Sequence, residues 1–75
     1  MANRRADNDW VRLGKRLRLA RHVVELSQSE AADRLGQSQA YVSRCELGQR
    51  RVDVWELEAF AELYGTTFEW LLETE

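Results

Sequence analysis

The residues best suited to contact a ligand lie in one short segment of the 75-residue chain. Val42 and Cys45 stand three apart and predict the inward stripe of a helix, so that the remaining side chains face outward. These outward side chains are short, polar or cationic: Gln39, Ala40, Tyr41, Ser43 and Arg44. Groups of this size and chemistry can read base edges in a DNA major groove. The pattern fits a solvated helix of a small bundle equally well, so both interpretations stay open.

Two short helices and a tight turn must position these side chains. Ser27 and Glu30 predict a capping box at the start of the first helix. Gly36 is expected to end that helix, since glycine adopts the positive φ of a sharp helix exit. Ser38 is expected to cap the second helix. Helix, turn and helix together predict a helix-turn-helix motif over about residues 27–47.

The residues of this motif resemble a known family. The chain has a Ser27-Gln28 opening, Gly36 in the middle, a Tyr41-Val42-Ser43 segment and a Glu46-x-Gly48 close. This combination is similar to the phage-repressor and Cro-like helix-turn-helix proteins, also called the XRE family, from about residue 13 to residue 72. The resemblance implies an all-α, lambda-repressor-like bundle of five short helices that binds double-stranded DNA. A Cro-like repressor, a restriction–modification controller protein and an antitoxin-like repressor all remain possible regulators of this type.

The resemblance also assigns roles to single residues. In this family an arginine of the first helix pairs with a glutamate near the end of the recognition helix, which implies a structural ion pair between Arg21 and Glu46. It implies a phosphate contact at Gln28, where free N–H groups and the helix dipole favour an anion. The full set expected at the DNA backbone is Gln28, Gln37, Ser38, Arg50 and Arg51. For the two loop arginines, simple solvation is the alternative.

Charge is divided unevenly along the chain. The net charge of −2 argues, by itself, against binding to nucleic acid. All eleven Lys and Arg residues lie in residues 1–52 with six acidic residues, so this part carries +5. Residues 53–75 contain seven acidic residues and no Lys or Arg, and carry −7. Phosphate contact requires only a local basic face, which this distribution allows. Two solvated faces of opposite sign are the alternative.

Composition argues against several other classes of protein. Charged residues make up 32% of the chain and apolar residues 44%, which fits a single folded domain over residues 9–75. The sequence has neither a bilayer-spanning apolar run nor a signal peptide, so a cytoplasmic, nucleoid-associated protein is expected. One Cys and one His cannot form a structural zinc site, and phosphate-loop and hydrolase motifs are missing. We therefore expect neither an enzyme nor a metal or other cofactor.

The N-terminal part predicts an arm and a first helix. Residues 1–8 are polar and contain Arg4 and Arg5, which predicts a flexible basic arm that either follows DNA or is inert. The first helix is expected from about Asp9 to about Glu25. Its buried stripe is expected at alternating spacings of four and three: Leu13, Leu17, Ala20 and Val24.

The C-terminal part predicts two further helices. Asp53 and Glu56 form a second capping box, and Gly65 is expected to end the helix that they begin. Thr66 and Glu69 predict a third capping box before a short last helix. The core stripe of the fourth helix is expected to comprise Val54, Leu57, Phe60, Ala61 and Tyr64.

Further large apolar residues predict a second buried surface in this part. We expect a two-fold homodimer interface formed by Trp55, Leu63, Trp70 and Leu71. A dimer of this class would place two recognition helices in successive major grooves of a near-palindromic operator, about 34 Å apart. Completion of the monomer core by one or two of these residues is one alternative. A protein-interaction module that binds an unknown protein partner through its apolar face is the other.

Overall fold

The protein is described by a computed structural model that covers residues 2–73, with side chains from residue 9 onward. Five helices follow one another: α1 (Ala2–Val23), α2 (Gln28–Leu35), α3 (Gln39–Glu46), α4 (Val54–Tyr64) and α5 (Phe68–Leu71). These described residues contain no β-strand. The prediction of an all-α bundle of five helices is confirmed.

Helix α1 begins earlier than the sequence pattern predicts. It starts at Ala2 rather than near Asp9. Neither proline nor glycine interrupts residues 2–13, so nothing in this stretch breaks a helix. The predicted basic arm covers residues 1–8, whose side chains lie outside the described residues, and its contact with DNA stays a prediction.

Three of the four predicted core positions of α1 are confirmed. Leu13, Leu17 and Ala20 are at most 6% exposed. The placement of Val24 in this stripe is wrong, because α1 ends at Val23 and Val24 is 37% exposed in the turn beyond it. The helical spacing therefore does not extend to that residue.

Caps define the ends of the middle helices as predicted. The Ser27 hydroxyl accepts the Glu30 N–H at 3.0 Å, and the Glu30 carboxylate accepts the Ser27 N–H at 2.8 Å. Asp53 and Glu56 form the same reciprocal pair at 2.8 and 3.0 Å. Gly36 ends α2 with a φ of 69°, a left-handed conformation that favours glycine.

The third predicted capping box is wrong in its register. Thr67, not Thr66, is the N-cap of α5, and its hydroxyl accepts the Trp70 N–H at 3.1 Å. The third helical position is thus Trp70 rather than Glu69. An indole cannot complete a capping box, because it has no oxygen to accept the N-cap amide proton.

The core lies where the five helices meet, and its largest fully enclosed side chains are Leu17, Val42, Cys45, Phe60 and Leu71. Leu71 is 1% exposed, so its assignment to a dimer interface is wrong. The prediction of Val54 in the core is wrong as well, since it is the first residue of α4 and is 55% exposed. The other four predicted core residues of α4 are buried.

Gly14 allows α1 to approach the end of α3 closely. A Cβ atom at this position would clash with the Glu46 carbonyl oxygen and lie 2.7 Å from that of Cys45. Backbone atoms cannot move aside as a flexible side chain can, so a larger residue would push the two helices apart. This close approach fixes α3 against α1.

Candidate nucleic-acid interface

The outer face of α3 presents most of the side chains expected to read bases. Gln39, Ala40 and Arg44 are exposed and Ser43 is half-buried. The Arg44 side chain forms no hydrogen bond or ion pair within the described part of the chain. The Ser38 hydroxyl caps this helix by accepting the Tyr41 N–H at 3.1 Å. The helix therefore offers a polar, accessible surface at its N-terminal end.

Tyr41 does not belong to this surface, and its prediction as a base-reading residue is corrected. The residue is 9% exposed, and its ring stacks parallel to Phe60 with 6.0 Å between centroids. Burial raises the pKa of the Tyr41 phenol above its usual value. Tyr41 precedes Cys45 by one helical turn, so the inward stripe includes Tyr41 as well as Val42 and Cys45.

A buried ion pair joins α1 to the end of α3. The Arg21 guanidinium donates from Nε to Glu46 Oε2 at 2.6 Å and from Nη2 to Glu46 Oε1 at 3.0 Å. Each residue is 7% exposed. Arg21 also donates to the Leu26 carbonyl oxygen at 2.8 Å. The bond to Glu46 raises the pKa of Arg21 despite burial, and the structure thus brings together the two residues expected to pair.

Two glutamines extend this pair to the surface. Gln28 donates from Nε2 to Glu46 Oε1 at 3.0 Å, and its Oε1 accepts from Gln39 Nε2 at 2.6 Å. Arg21, Glu46, Gln28 and Gln39 therefore form a continuous chain of hydrogen bonds, which we call the polar relay. Its effect is to orient the Gln39 amide at the tip of α3. Neither spacing nor composition indicates this role for Gln28, because residues 28 and 46 are brought together only by the fold.

The residues expected at the DNA backbone differ in their surroundings. Gln37 and Arg51 are exposed, and Arg51 forms no ion pair with any described residue. Arg50 donates to Glu56 Oε1 at 2.9 Å and to the Arg51 carbonyl oxygen at 2.8 Å. The Ser38 hydroxyl already accepts a hydrogen bond from the Tyr41 N–H at the cap of α3. Of the two loop arginines, only Arg51 has a side chain without a hydrogen bond or ion pair to the described residues.

An open cleft between α1 and α3 adds two cations that the sequence pattern does not single out as DNA contacts. Lys15 and Arg18 of α1 line it together with Gln28 and Ser43. The spacing of three between Lys15 and Arg18 could have indicated a shared helix face. The cleft thus places two further cations beside α3.

The side chains expected at a dimer interface fall into three environments. Trp55 is 74% exposed, Leu63 and Trp70 are half-buried against the core, and Leu71 is enclosed. The Arg16 guanidinium carbon lies 3.8 Å from the centroid of the Trp70 ring, and Arg16 Nε donates to the Trp70 carbonyl oxygen at 3.1 Å. Trp70 therefore packs within the monomer, and Trp55 is the most accessible of the four.

Three further observations concern the thiol, metal binding and the membrane. Cys45 is 1% exposed, and burial raises the pKa of its thiol. Among residues 9–73, no group of three or more His, Cys, Asp or Glu side chains converges to hold a metal ion. Within residues 2–73, no helix has the length and apolar character needed to cross a bilayer.

The helix-turn-helix domain family matches residues 12–71, so the chain belongs to this family of DNA-binding domains. No curated protein matches the sequence. Among solved structures, the chain is similar to the restriction-modification controller protein C.AhdI from Aeromonas hydrophila, known from a high-resolution crystal structure. The TM-score is 0.81 and the sequence identity is 32%, over 87% of this chain and 94% of that one. The resemblance to Cro-like helix-turn-helix regulators is confirmed.

Proposed function

We propose that this protein is a sequence-specific transcription regulator that binds a near-palindromic operator as a homodimer. The polar relay is the observation that carries the proposal, because it orients Gln39 at the exposed tip of α3. A merely solvated helix would not need a buried ion pair connected to its first side chain. The relay ends at the point where a recognition helix enters a major groove.

Four side chains would read bases. The Gln39 amide suits adenine N6 and N7, and the Ala40 methyl group suits the thymine methyl. Ser43 is a short donor or acceptor. Arg44 would fork onto guanine O6 and N7. Contacts to phosphates would come from the residues around this face: Lys15, Arg18, Gln28, Gln37, Ser38 and Arg51.

The dimer would form through one side of α4. Trp55, Ala59 and Leu63 repeat at spacings of four and therefore lie along one side of this helix. Trp55 is exposed, whereas Ala59 and Leu63 are half-buried. An exposed tryptophan next to half-buried apolar side chains is typical of an interface anchor. Of the regulator types that the sequence leaves open, the likeness to C.AhdI favours a controller protein.

Arg44→Ala and Arg51→Ala test how sequence is read. We expect Arg44→Ala to cost about 1–3 kcal/mol on the best operator and to relax preference at one base pair of each half-site, since it removes a group that bonds to a base. Arg51→Ala should lower the affinity for every DNA sequence by the same factor. It should also flatten the slope of log affinity against log salt by about one for each phosphate that Arg51 neutralises. Both variants would be titrated against a selected operator and a scrambled duplex at several salt concentrations.

The contradicting result is equally specific. If Arg44→Ala lowers affinity for both duplexes by the same factor, Arg44 is a phosphate ligand and the assigned reading face is wrong. Lys15→Ala offers a further control, because this cation lies on α1 and should behave like Arg51→Ala.

A protein-interaction module is the second candidate, favoured by the 74% exposure of Trp55 in the acidic part of the chain. The two candidates differ in one measurement. A regulator binds mixed-sequence duplex in a salt-sensitive way and prefers a palindrome, whereas an interaction module does neither.

A further inference from the structure

Three side chains form a cluster between the recognition helix and the start of α4. The Arg50 guanidinium carbon lies 4.6 Å from the centroid of the Tyr41 ring. The same guanidinium donates to Glu56 Oε1 at 2.9 Å. Tyr41 also stacks on Phe60 of α4. We call Tyr41, Arg50 and Glu56 the Arg50 cluster.

Glu56 serves two purposes in this cluster. Its Oε1 atom accepts one hydrogen bond from Arg50 Nη1 and another from the Asp53 N–H, the latter at 3.0 Å. The carboxylate that completes the capping box of α4 therefore also binds Arg50, whose guanidinium lies over the Tyr41 ring of α3. Trp55, the exposed residue of the proposed dimer face, lies in the same first turn of α4.

We propose that Arg50 is a positioning residue that sets the orientation of the recognition helix relative to α4. This inference rests on the proposed function. In a dimer formed through α4, the Arg50 cluster would set the separation of the two recognition helices. It would thereby tune the half-site spacing that the protein accepts.

Arg51 supplies the natural contrast. It carries the same charge on the same loop, is exposed, and has no ion pair among the described residues. Arg50 Nη1 already donates to a carboxylate and to a carbonyl oxygen, and the guanidinium lies over an aromatic ring, so a movement of this group toward a phosphate would weaken these contacts. The planar guanidinium can stack on the Tyr41 ring while Nη1 donates both hydrogen bonds, whereas a lysine ammonium is a compact point charge on a flexible stem and does not stack in this way.

Glu56→Gln distinguishes a positioning role from simple electrostatics, because the two predict opposite changes in the affinity for the operator. The substitution removes a negative charge, so electrostatics alone predicts tighter binding to any DNA. If Arg50 positions α3, Glu56→Gln weakens binding to the operator selected from random duplexes by about threefold to tenfold. Affinity for a scrambled duplex stays equal or rises, and the salt slope is unchanged.

A second readout responds to helix position and not to folding stability. Operators with one base pair added or removed at the centre are compared with the selected operator. Wild-type protein should discriminate strongly among these spacings, and Glu56→Gln should discriminate less. Loss of folded protein alone would reduce the active fraction, which is measured by titration, without changing this ratio.

Arg50→Lys and Arg51→Lys are the matched pair, since both keep the charge. We expect Arg50→Lys to repeat the effects of Glu56→Gln and Arg51→Lys to stay near wild type. The inference is overturned if Glu56→Gln leaves operator affinity and spacing preference unchanged, or if Arg50→Lys binds like wild type. A wild-type protein without preference for any selected duplex would instead refute the proposed function itself.

Discussion

The two sides of this small bundle treat their exposed surfaces differently. On the side of α2 and α3, most accessible residues are polar, although Ala40 and Leu47 are exposed as well, and the polar relay connects Gln39 to a buried ion pair. On the side of α4 and α5, large apolar side chains remain accessible, with Trp55 at 74% and Leu72 at 54%. The polar side is anchored within the monomer. The apolar side leaves large apolar side chains exposed to solvent, and a second protein surface would cover them.

This difference between the two sides fits the two tasks proposed for them, which are reading DNA bases and binding a second protein surface. In the proposed regulator, a side chain that reads a base must be held in one orientation, and contacts at Gly14, at Arg21 and in the Arg50 cluster hold α3 in place. An interface anchor needs only a complementary surface. Substitutions on the first side should therefore act within the monomer, whereas those on the second should act through association.

Glu46→Gln should have the largest effect and would test the anchored side. The change keeps the size of the side chain but leaves the Arg21 charge buried without its carboxylate, which should cost about 3 kcal/mol. Urea unfolding at one fixed protein concentration measures this loss. Base preference at the position read by Gln39 should weaken as well, because the relay is broken.

The exposed pair of Asp9 and Arg12 is the matched control. Its side chains are 53% and 46% exposed, so Asp9→Asn should change the free energy of unfolding by less than about 0.5 kcal/mol. A double change of Arg21 and Glu46 to apolar residues should recover part of the loss. Fully additive effects would show that the two side chains do not interact in solution.

Trp55→Ala should have the next largest effect and would test the apolar side. Removal of an interface anchor costs about 2 kcal/mol, which raises the dimer dissociation constant about thirtyfold. Sedimentation equilibrium measures this change. The monomer should be destabilised by less than about 0.5 kcal/mol, because the indole is mostly exposed within it.

Val54→Ala is the control for Trp55. Val54 lies in the same helical turn and is 55% exposed, but it lies outside the stripe of Trp55, Ala59 and Leu63. Its substitution should leave association unchanged. If the wild-type protein stays monomeric at tens of micromolar, the apolar side does not act through self-association and the proposed dimer is wrong.

The sequence predicts features that depend on neighbouring residues. Caps at Ser27, Ser38 and Asp53 and the helix ends at Gly36 and Gly65 follow from local backbone chemistry, and all are present. The pair of Arg21 and Glu46 can be expected only because the motif resembles a family. The two residues lie 25 positions apart in the chain, and no local pattern connects them.

Features that depend on packing between helices cannot be predicted in this way. Tyr41 has a polar group that favours the outer face, yet Phe60 covers its ring. Leu71 is apolar enough for an interface, although α5 turns it into the core. Arg50 is basic and follows the recognition helix, which predicts a phosphate contact. Its attachment to Glu56 follows from the angle of α4, which the sequence does not reveal.

The two capping boxes give the smallest expected effect, seen in the pH dependence of stability. Hydrogen bonding to the Ser27 amide and hydroxyl lowers the pKa of Glu30. The bond from Arg50, with a further contribution from the Asp53 amide, lowers the pKa of Glu56 against the effect of burial. A carboxylate with a lowered pKa in the folded state stabilises the fold above its ordinary pKa of 4.5, and this contribution is lost as the pH falls.

Thermal unfolding of wild type, Glu30→Gln and Glu56→Gln between pH 7 and pH 3 compares the two sides directly. The melting temperature of wild type should fall as the pH drops below 4.5, and each variant should fall less steeply. Glu56→Gln should flatten the acid limb more than Glu30→Gln, because only Glu56 also takes part in an ion pair. Equal slopes for the two variants would mean that Arg50 adds nothing to the cap of α4, and the polar contacts of that side would then be no stronger than those of an ordinary helix start.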